Sequence, residues 1–121
     1  MSITSFDIPS GIKTIGAAAF FHCDLKQIII PEGVESIQGD AFENNKNLEY
    51  VKLPKSIQRI EQFAFSDCLN LKRVECDGTI DEFITDFKLS YNVFDNSGTN
   101  VIHCSDGDVA LVNNTLSIYR N

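Results

Sequence analysis

A chain of 121 residues with 43% apolar residues, nine Phe, no Trp and 22% charged residues suits one globular domain and excludes a disordered one. Its net charge of −7 gathers late: residues 1–75 carry ten acids and eight bases, residues 76–121 seven acids and two bases. Such an acidic surface weighs against a nucleic-acid partner, which needs a basic footprint, and against insertion into or attraction to an anionic membrane.

Read from its start, Met1-Ser2-Ile3-Thr4-Ser5-Phe6-Asp7 has no basic segment followed by an apolar run. No signal peptide is expected, and no stretch approaches a membrane span, so the chain reads as soluble with its compartment left open. Ile3, Phe6 and Ile8 repeat the spacing of Leu25, Ile28, Ile30 and of Leu48, Val51, Leu53, so residues 2–7 are predicted to be a half-repeat.

Three full repeats follow, at 8–29, 30–52 and 53–75. Rows that begin at Ile8-Pro9, Ile30-Pro31 and Leu53-Pro54 align Ile12, Val34, Ile57; Ile15, Ile37, Ile60; Ala19, Ala41, Ala64; Phe20, Phe42, Phe65; and Cys23, Asn45, Cys68. After a one-residue deletion in the first row, Leu25, Leu48, Leu71 and Ile28, Val51, Val74 align as well. A fixed period with this many matching columns marks a repeat architecture. Residues 76–83 read as a partial copy, with Ile80 and Phe83 echoing Ile57 and Ile60, after which the columns stop matching.

The physical content of a repeat follows from its periodicity. The last three residues of Leu-x-x-Ile-x-Ile alternate in, out, in, as a strand with one buried face requires, and the next residue, Pro, donates no ladder hydrogen bond and ends the strand. The Ile/Val-x-x-Ile stretch gives a second extended piece, and Ala-Phe opens a turn whose Phe fills the interior. No repeat buries these side chains without a neighbour above and below, so four strands near residues 3–8, 25–30, 48–53 and 71–76 are expected in one parallel sheet.

Residues 84–121 read as a C-terminal cap. Phe83, Ile84 and Phe87 suggest one apolar helical face, and Asp95-Asn96-Ser97-Gly98-Thr99-Asn100 a turn-rich loop. Val101-Ile102-His103-Cys104 and Val109-Ala110-Leu111-Val112 flank Ser105-Asp106-Gly107-Asp108 as a β-hairpin around Asp-Gly.

Residues 48–68, with Leu53-Pro54, Ala64-Phe65 and Cys68, together with Ile15-Gly16-Ala17-Ala18-Ala19-Phe20, carry a specific likeness. Over residues 3–83 the chain resembles the BspA-like, or treponemal-type, leucine-rich repeat family. That resemblance implies a right-handed β/α leucine-rich-repeat solenoid, mostly β with short turns or helical pieces, here closed by a C-terminal capping segment containing a hairpin. It also implies that Cys23, Asn45 and Cys68 hydrogen-bond backbone in the adjacent loop. Family members are often bacterial or protist cell-surface or secreted proteins that bind host proteins or other cells, with no catalytic residues in the repeats.

Four features invite chemistry, and each has a plainer reading. Cys23 and Cys68 are two repeats apart, ~9.6 Å at strand spacing, beyond the ~7 Å reach of a disulfide; Cys76 and Cys104 would meet only where the cap docks, with reduced buried thiols the default. His22-Cys23 and His103-Cys104 make no dyad, because neighbouring residues point apart. Asp106-Gly107-Asp108 and Asp95-Asn96-Ser97-Gly98 read as turns rather than calcium loops. Asn113-Asn114-Thr115 is a glycosylation sequon that matters only in a eukaryotic secretory pathway. No catalytic residue, metal site or cofactor is therefore expected, and a protein partner is.

The outward row of the main sheet is the expected contact: Gln27 and Ile29, Tyr50 and Lys52, Arg73 and Glu75. Tyr and Arg are enriched in binding hot spots, and repeat proteins commonly bind along the sheet. The alternative is a structural or assembly subunit, a homo-oligomer joined through the open N-terminal edge at Ile3 and Phe6.

Overall fold

The computed structural model describes residues 7–85, 87–90, 92–112 and 115–121. Each repeat contributes two extended pieces. The first set is β1 (Thr14–Ile15), β3 (Ser36–Ile37) and β5 (Arg59–Ile60); the second is β2 (Gln27–Ile29), β4 (Tyr50–Leu53) and β6 (Arg73–Cys76). Both sets pair in parallel, Thr14 beside Ser36 beside Arg59 and Gln27 beside Tyr50 beside Arg73. The sequence offsets of the aligned columns are thus contacts in space, and a parallel pairing needs a connection of this length.

Between the two pieces the chain bends on two left-handed residues four apart: Ala18 and His22, Asp40 and Asn44, Phe63 and Asp67. His, Asn and Asp tolerate this region through local hydrogen bonding, whereas a left-handed Ala or Phe costs ~1–2 kcal/mol. The conformation aims alternate N–H groups at the next repeat. Ala18, Phe20 and His22 donate to the carbonyls of Gly39, Ala41 and Glu43, and Asp40, Phe42 and Asn44 donate to those of Gln62, Ala64 and Ser66. The turn is therefore as much a ladder as the strands are.

The column residues meet between these ladders. Phe20, Phe42, Phe65 and Phe94 stack with centroids 5.2, 5.1 and 5.5 Å apart, and Leu25, Leu48, Leu71, Ile28, Val51 and Val74 are buried beside them. Each such side chain contributes ~1.5–3 kcal/mol by leaving water. Asn45 has no exposed surface: its Nδ2 donates to the carbonyls of Phe20 and Phe42, and its Oδ1 accepts from the Leu25 N–H. Cys68 Sγ reaches the Phe42 carbonyl from the same column. Among the described residues no buried side-chain polar atom lacks a hydrogen-bond partner.

Past residue 76 the structure departs from the sequence expectation. Ile80 and Phe83 do not echo Ile57 and Ile60 in extended chain; they belong to α1 (Ile80–Ile84). The cause is local. Thr79-Ile80-Asp81-Glu82 is a capping box, in which Thr79 Oγ1 accepts from Glu82 N–H and Glu82 Oε1 accepts from Thr79 N–H, and Ile80 and Phe83 share the buried face three residues apart. Ile60 pairs instead with Leu89 in β7 (Lys88–Leu89). Lys88 follows Cys76 by twelve positions, whereas Arg59 follows Leu53 by six, and α1 occupies the difference.

After that insertion the pattern returns. Asn92 and Asn96 are left-handed and four apart, the Val93 and Asp95 carbonyls accept from Phe65 and Asp67, and Ser97 Oγ donates to the Phe65 carbonyl. β8 (Val101–Cys104) then pairs in parallel with β6, Val74 beside Ile102. Both parallel ladders thus run on past residue 83. Among the described strands β9 (Gly107–Val112) alone runs against the ladder, pairing antiparallel with β8 about Ser105-Asp106, and β10 (Thr115–Arg120) turns back to pair antiparallel with β9. The result is a four-stranded sheet ordered β1-β3-β5-β7 and a six-stranded sheet ordered β10-β9-β8-β6-β4-β2. Gly98 permits the last turn to dock, since a Cβ there would lie 2.2 Å from the Leu71 carbonyl oxygen. No helix among the described residues is long and apolar enough to cross a membrane.

Candidate functional site

Strand alternation decides which side chains of the six-stranded sheet face out. Ile28, Val51 and Val74 are buried, so Gln27 and Ile29 on β2, Tyr50 and Lys52 on β4, and Arg73 and Glu75 on β6 lie on the other side. Register sets them in two rows, Gln27–Tyr50–Arg73 and Ile29–Lys52–Glu75. The six expected contact residues are thus brought together on one surface.

The rows continue into the segment that the sequence predicts to be a cap. Glu75 pairs with His103 on β8, His103 with Asp108 on β9, and Asp108 with Tyr119 on β10. One row therefore runs Ile29, Lys52, Glu75, His103, Asp108, Tyr119 across six strands, about 24 Å at strand spacing. Its ends are apolar and open, Ile29 at 52% and Tyr119 at 61% exposure. His103, Asp108 and Tyr119 match no repeat column in the sequence, because the hairpin joins the sheet through its backbone ladder. The signal present was Ile102, thirteen residues after Leu89, the spacing that separates Ile28 from Ile15 in the first repeat.

The charges of this surface are already matched. Lys52 Nζ lies 3.2 Å from Asp77, Arg73 Nε 3.0 Å from Glu75, and His103 Nδ1 2.7 Å from Asp108, while Tyr50 Oη donates to Glu75 Oε1. The hydrogen bonds from Tyr50 and then Arg73 hold the Glu75 carboxyl below its ordinary range. Partial burial, and then the bond to Glu75, pushes the Tyr50 phenol up to about 12, so it stays a neutral donor at physiological pH. Each exposed pair is worth at most ~1 kcal/mol. Their joint effect is to hold long side chains in one arrangement before any partner arrives, which lowers the ordering cost of binding. A cleft of about 260 Å³ opens at the ends of β4, β6 and β8, between Lys52, Arg73, Glu75, Asp77 and His103.

The residues that invited chemistry have structural partners. His22 Nδ1 accepts from the Asn44 amide and His103 Nδ1 is taken by Asp108, while Cys23 and Cys104 pack against the core. The four cysteines are free. Cys76 and Cys104 do come together across β6 and β8; burial, then the neighbouring thiol, pushes Cys104 up to about 12, so it is protonated rather than nucleophilic. Asp106 Oδ1 accepts from the Ile80 N–H, and among the described residues no group of three or more His, Cys, Asp or Glu side chains is arranged to hold a metal. Ile3, Phe6, Asn113 and Asn114 lie outside the described residues, and with them the expected self-association edge and the start of the sequon.

The family model of the BspA type leucine rich repeat region matches residues 1–106 in six copies. The chain belongs to the BspA-type leucine-rich repeat family. No curated protein and no solved structure matches it. The match reaches beyond residue 83 and takes in the segment where the parallel ladders persist. Repeats of this family generally mediate protein–protein interaction and form a non-enzymatic module.

Proposed function

We propose that this BspA-type leucine-rich repeat protein is a right-handed solenoid, closed by its C-terminal hairpin, that binds a protein partner through the outward side of its six-stranded sheet. The contact centres on Gln27, Ile29, Tyr50, Lys52, Arg73 and Glu75 and runs on through His103 and Tyr119. The observation that carries this reading is the row from Ile29 to Tyr119: apolar and aromatic side chains exposed at both ends, with every intervening charge already paired. Hot spots favour such positions, where a rigid Tyr or Arg presents a large contact area at little entropic cost.

The test is capture of the partner by the intact chain and by a Tyr50→Ala/Arg73→Glu variant. Tyr50 is half-buried and Arg73 exposed, so the variant is expected to fold, and a loss of at least tenfold in affinity is expected. Equal capture by both chains would refute this surface.

A further inference from the structure

The second sheet has an outward row of its own. Ile15, Ile37 and Ile60 are buried, so Thr14, Ser36, Arg59 and Lys88 stand on the opposite side, in register across β1, β3, β5 and β7. They border a shallow groove of about 220 Å³ together with Glu35 and Gln58. Hydroxyls mark its β1–β3 end and cations its β5–β7 end.

Those cations stand in an unfavourable arrangement. Arg59 and Lys88 are direct neighbours, one strand spacing apart, and like charges facing each other across a ladder are destabilising. Among the described residues neither forms an ion pair. The other two arginines do, Arg73 with Glu75 and Arg120 with Asp81, and Glu35, the carboxylate of the groove, reaches neither Arg59 nor Lys88. Glu35 precedes β3, one strand from Arg59 and two from Lys88, so among the described residues of the groove the β5–β7 end is positive, in a chain of net charge −7. A negatively charged ligand is the missing partner that would convert this repulsion into attraction.

We propose that the β5–β7 end of this row binds a tetrahedral oxyanion, the phosphate or sulfate group of a ligand. Arg59 supplies a planar fork of N–H donors that matches two oxygens at once, Lys88 a mobile point charge, and Ser36 a neutral donor on the next strand. The site is separate from the sheet surface assigned to the protein partner, and neither reading rests on the other.

Titration of the isotope-labelled chain with sodium phosphate, sodium sulfate and, at matched ionic strength, sodium chloride tests it by amide shifts. Saturable shifts at Ser36, Arg59 and Lys88 are expected with phosphate or sulfate and not with chloride. Arg59→Gln/Lys88→Gln should weaken binding at least tenfold, and Tyr50→Ala should not change it. Tighter binding of phosphate assigns a phosphorylated ligand, tighter binding of sulfate a sulfated one. Shifts that never saturate, that chloride reproduces, or that survive the double substitution would overturn the proposal. A thermal midpoint measured without added anion is a second check: Lys88→Gln should hold or raise it, and a lowered midpoint would mean that Lys88 already has a partner within the fold.

Discussion

The two sheets are built from the same repeats and share one core, yet their outward surfaces solve the problem of charge in opposite ways. On the six-stranded sheet Lys52, Arg73 and His103 each meet a carboxylate, and the exposed extremes are Ile29 and Tyr119. On the four-stranded sheet Arg59 and Lys88 stand side by side, and among the described residues neither meets a carboxylate. A surface with its charges satisfied and its aromatics free suits a protein partner; a surface with charges unsatisfied suits an ion. The difference arises from single residues at equivalent ladder positions, because the ladder fixes where a side chain stands and leaves its chemistry free.

The largest expected effect comes from removing what both surfaces share. Phe42 lies in the middle of the ring stack with no exposed surface, and Phe42→Ala should cost ~3–5 kcal/mol, read as a lower denaturant midpoint. Both surfaces should be lost together. An effect confined to one of them would break the idea of a common core.

Asn45 comes next. Asn45→Ala strands the Phe20 and Phe42 carbonyls and the Leu25 N–H, and each buried group left unpaired costs ~1–3 kcal/mol. Asn45→Cys should cost less, because Cys68 in the same column reaches the Phe42 carbonyl through its thiol. Equal losses in chemical denaturation would show that the column does not act by hydrogen bonding.

Alkaline titration separates the surfaces more finely. The Tyr50 phenol, ordinarily near 10.0, is raised to about 12 in the fold, so its stabilising contribution is complete below pH 10 and lost as pH rises through 12. Glu75→Gln should bring Tyr50 part of the way back, since burial is the larger cause, while Arg59→Gln should leave it where it is. Ultraviolet difference absorbance reads both. The smallest effect is expected at Ala18, exposed and left-handed at φ 57°: Ala18→Gly removes the steric cost of that conformation and should stabilise by about 0.5 kcal/mol, net of the greater freedom of Gly when unfolded. A loss of stability there would show that the turn is not strained.

Much of this arrangement could be read in the sequence, and the limit of legibility has a physical cause. Leu, Ile, Ala and Phe recur in columns because each must fill the same space against the same neighbour, so the first three repeats and the six expected contact residues follow from the period alone. The segment after Cys76 keeps the backbone contacts of a repeat but relaxes its side chains. Ser97 stands where Asn45 and Cys68 stand, Asn92 and Asn96 hold the left-handed positions, and the six extra residues accommodate α1 and its N-cap under the Thr79–Glu82 capping box. A backbone ladder does not need a particular side chain, so it leaves little trace in composition. In the row Thr14, Ser36, Arg59, Lys88 the first three stand one place before the aligned Ile15, Ile37 and Ile60, and the period reaches them; Lys88 is hidden because the α1 insertion shifts it out of step.

The central claim is that the six-stranded surface, and not its neighbour, meets the protein partner. The most direct measurement is the affinity of the captured partner for Tyr50→Ala/Arg73→Glu beside its affinity for Arg59→Gln/Lys88→Gln. At least a tenfold loss is expected for the first variant and no change for the second. Unchanged binding by the first, or loss only in the second, would contradict it.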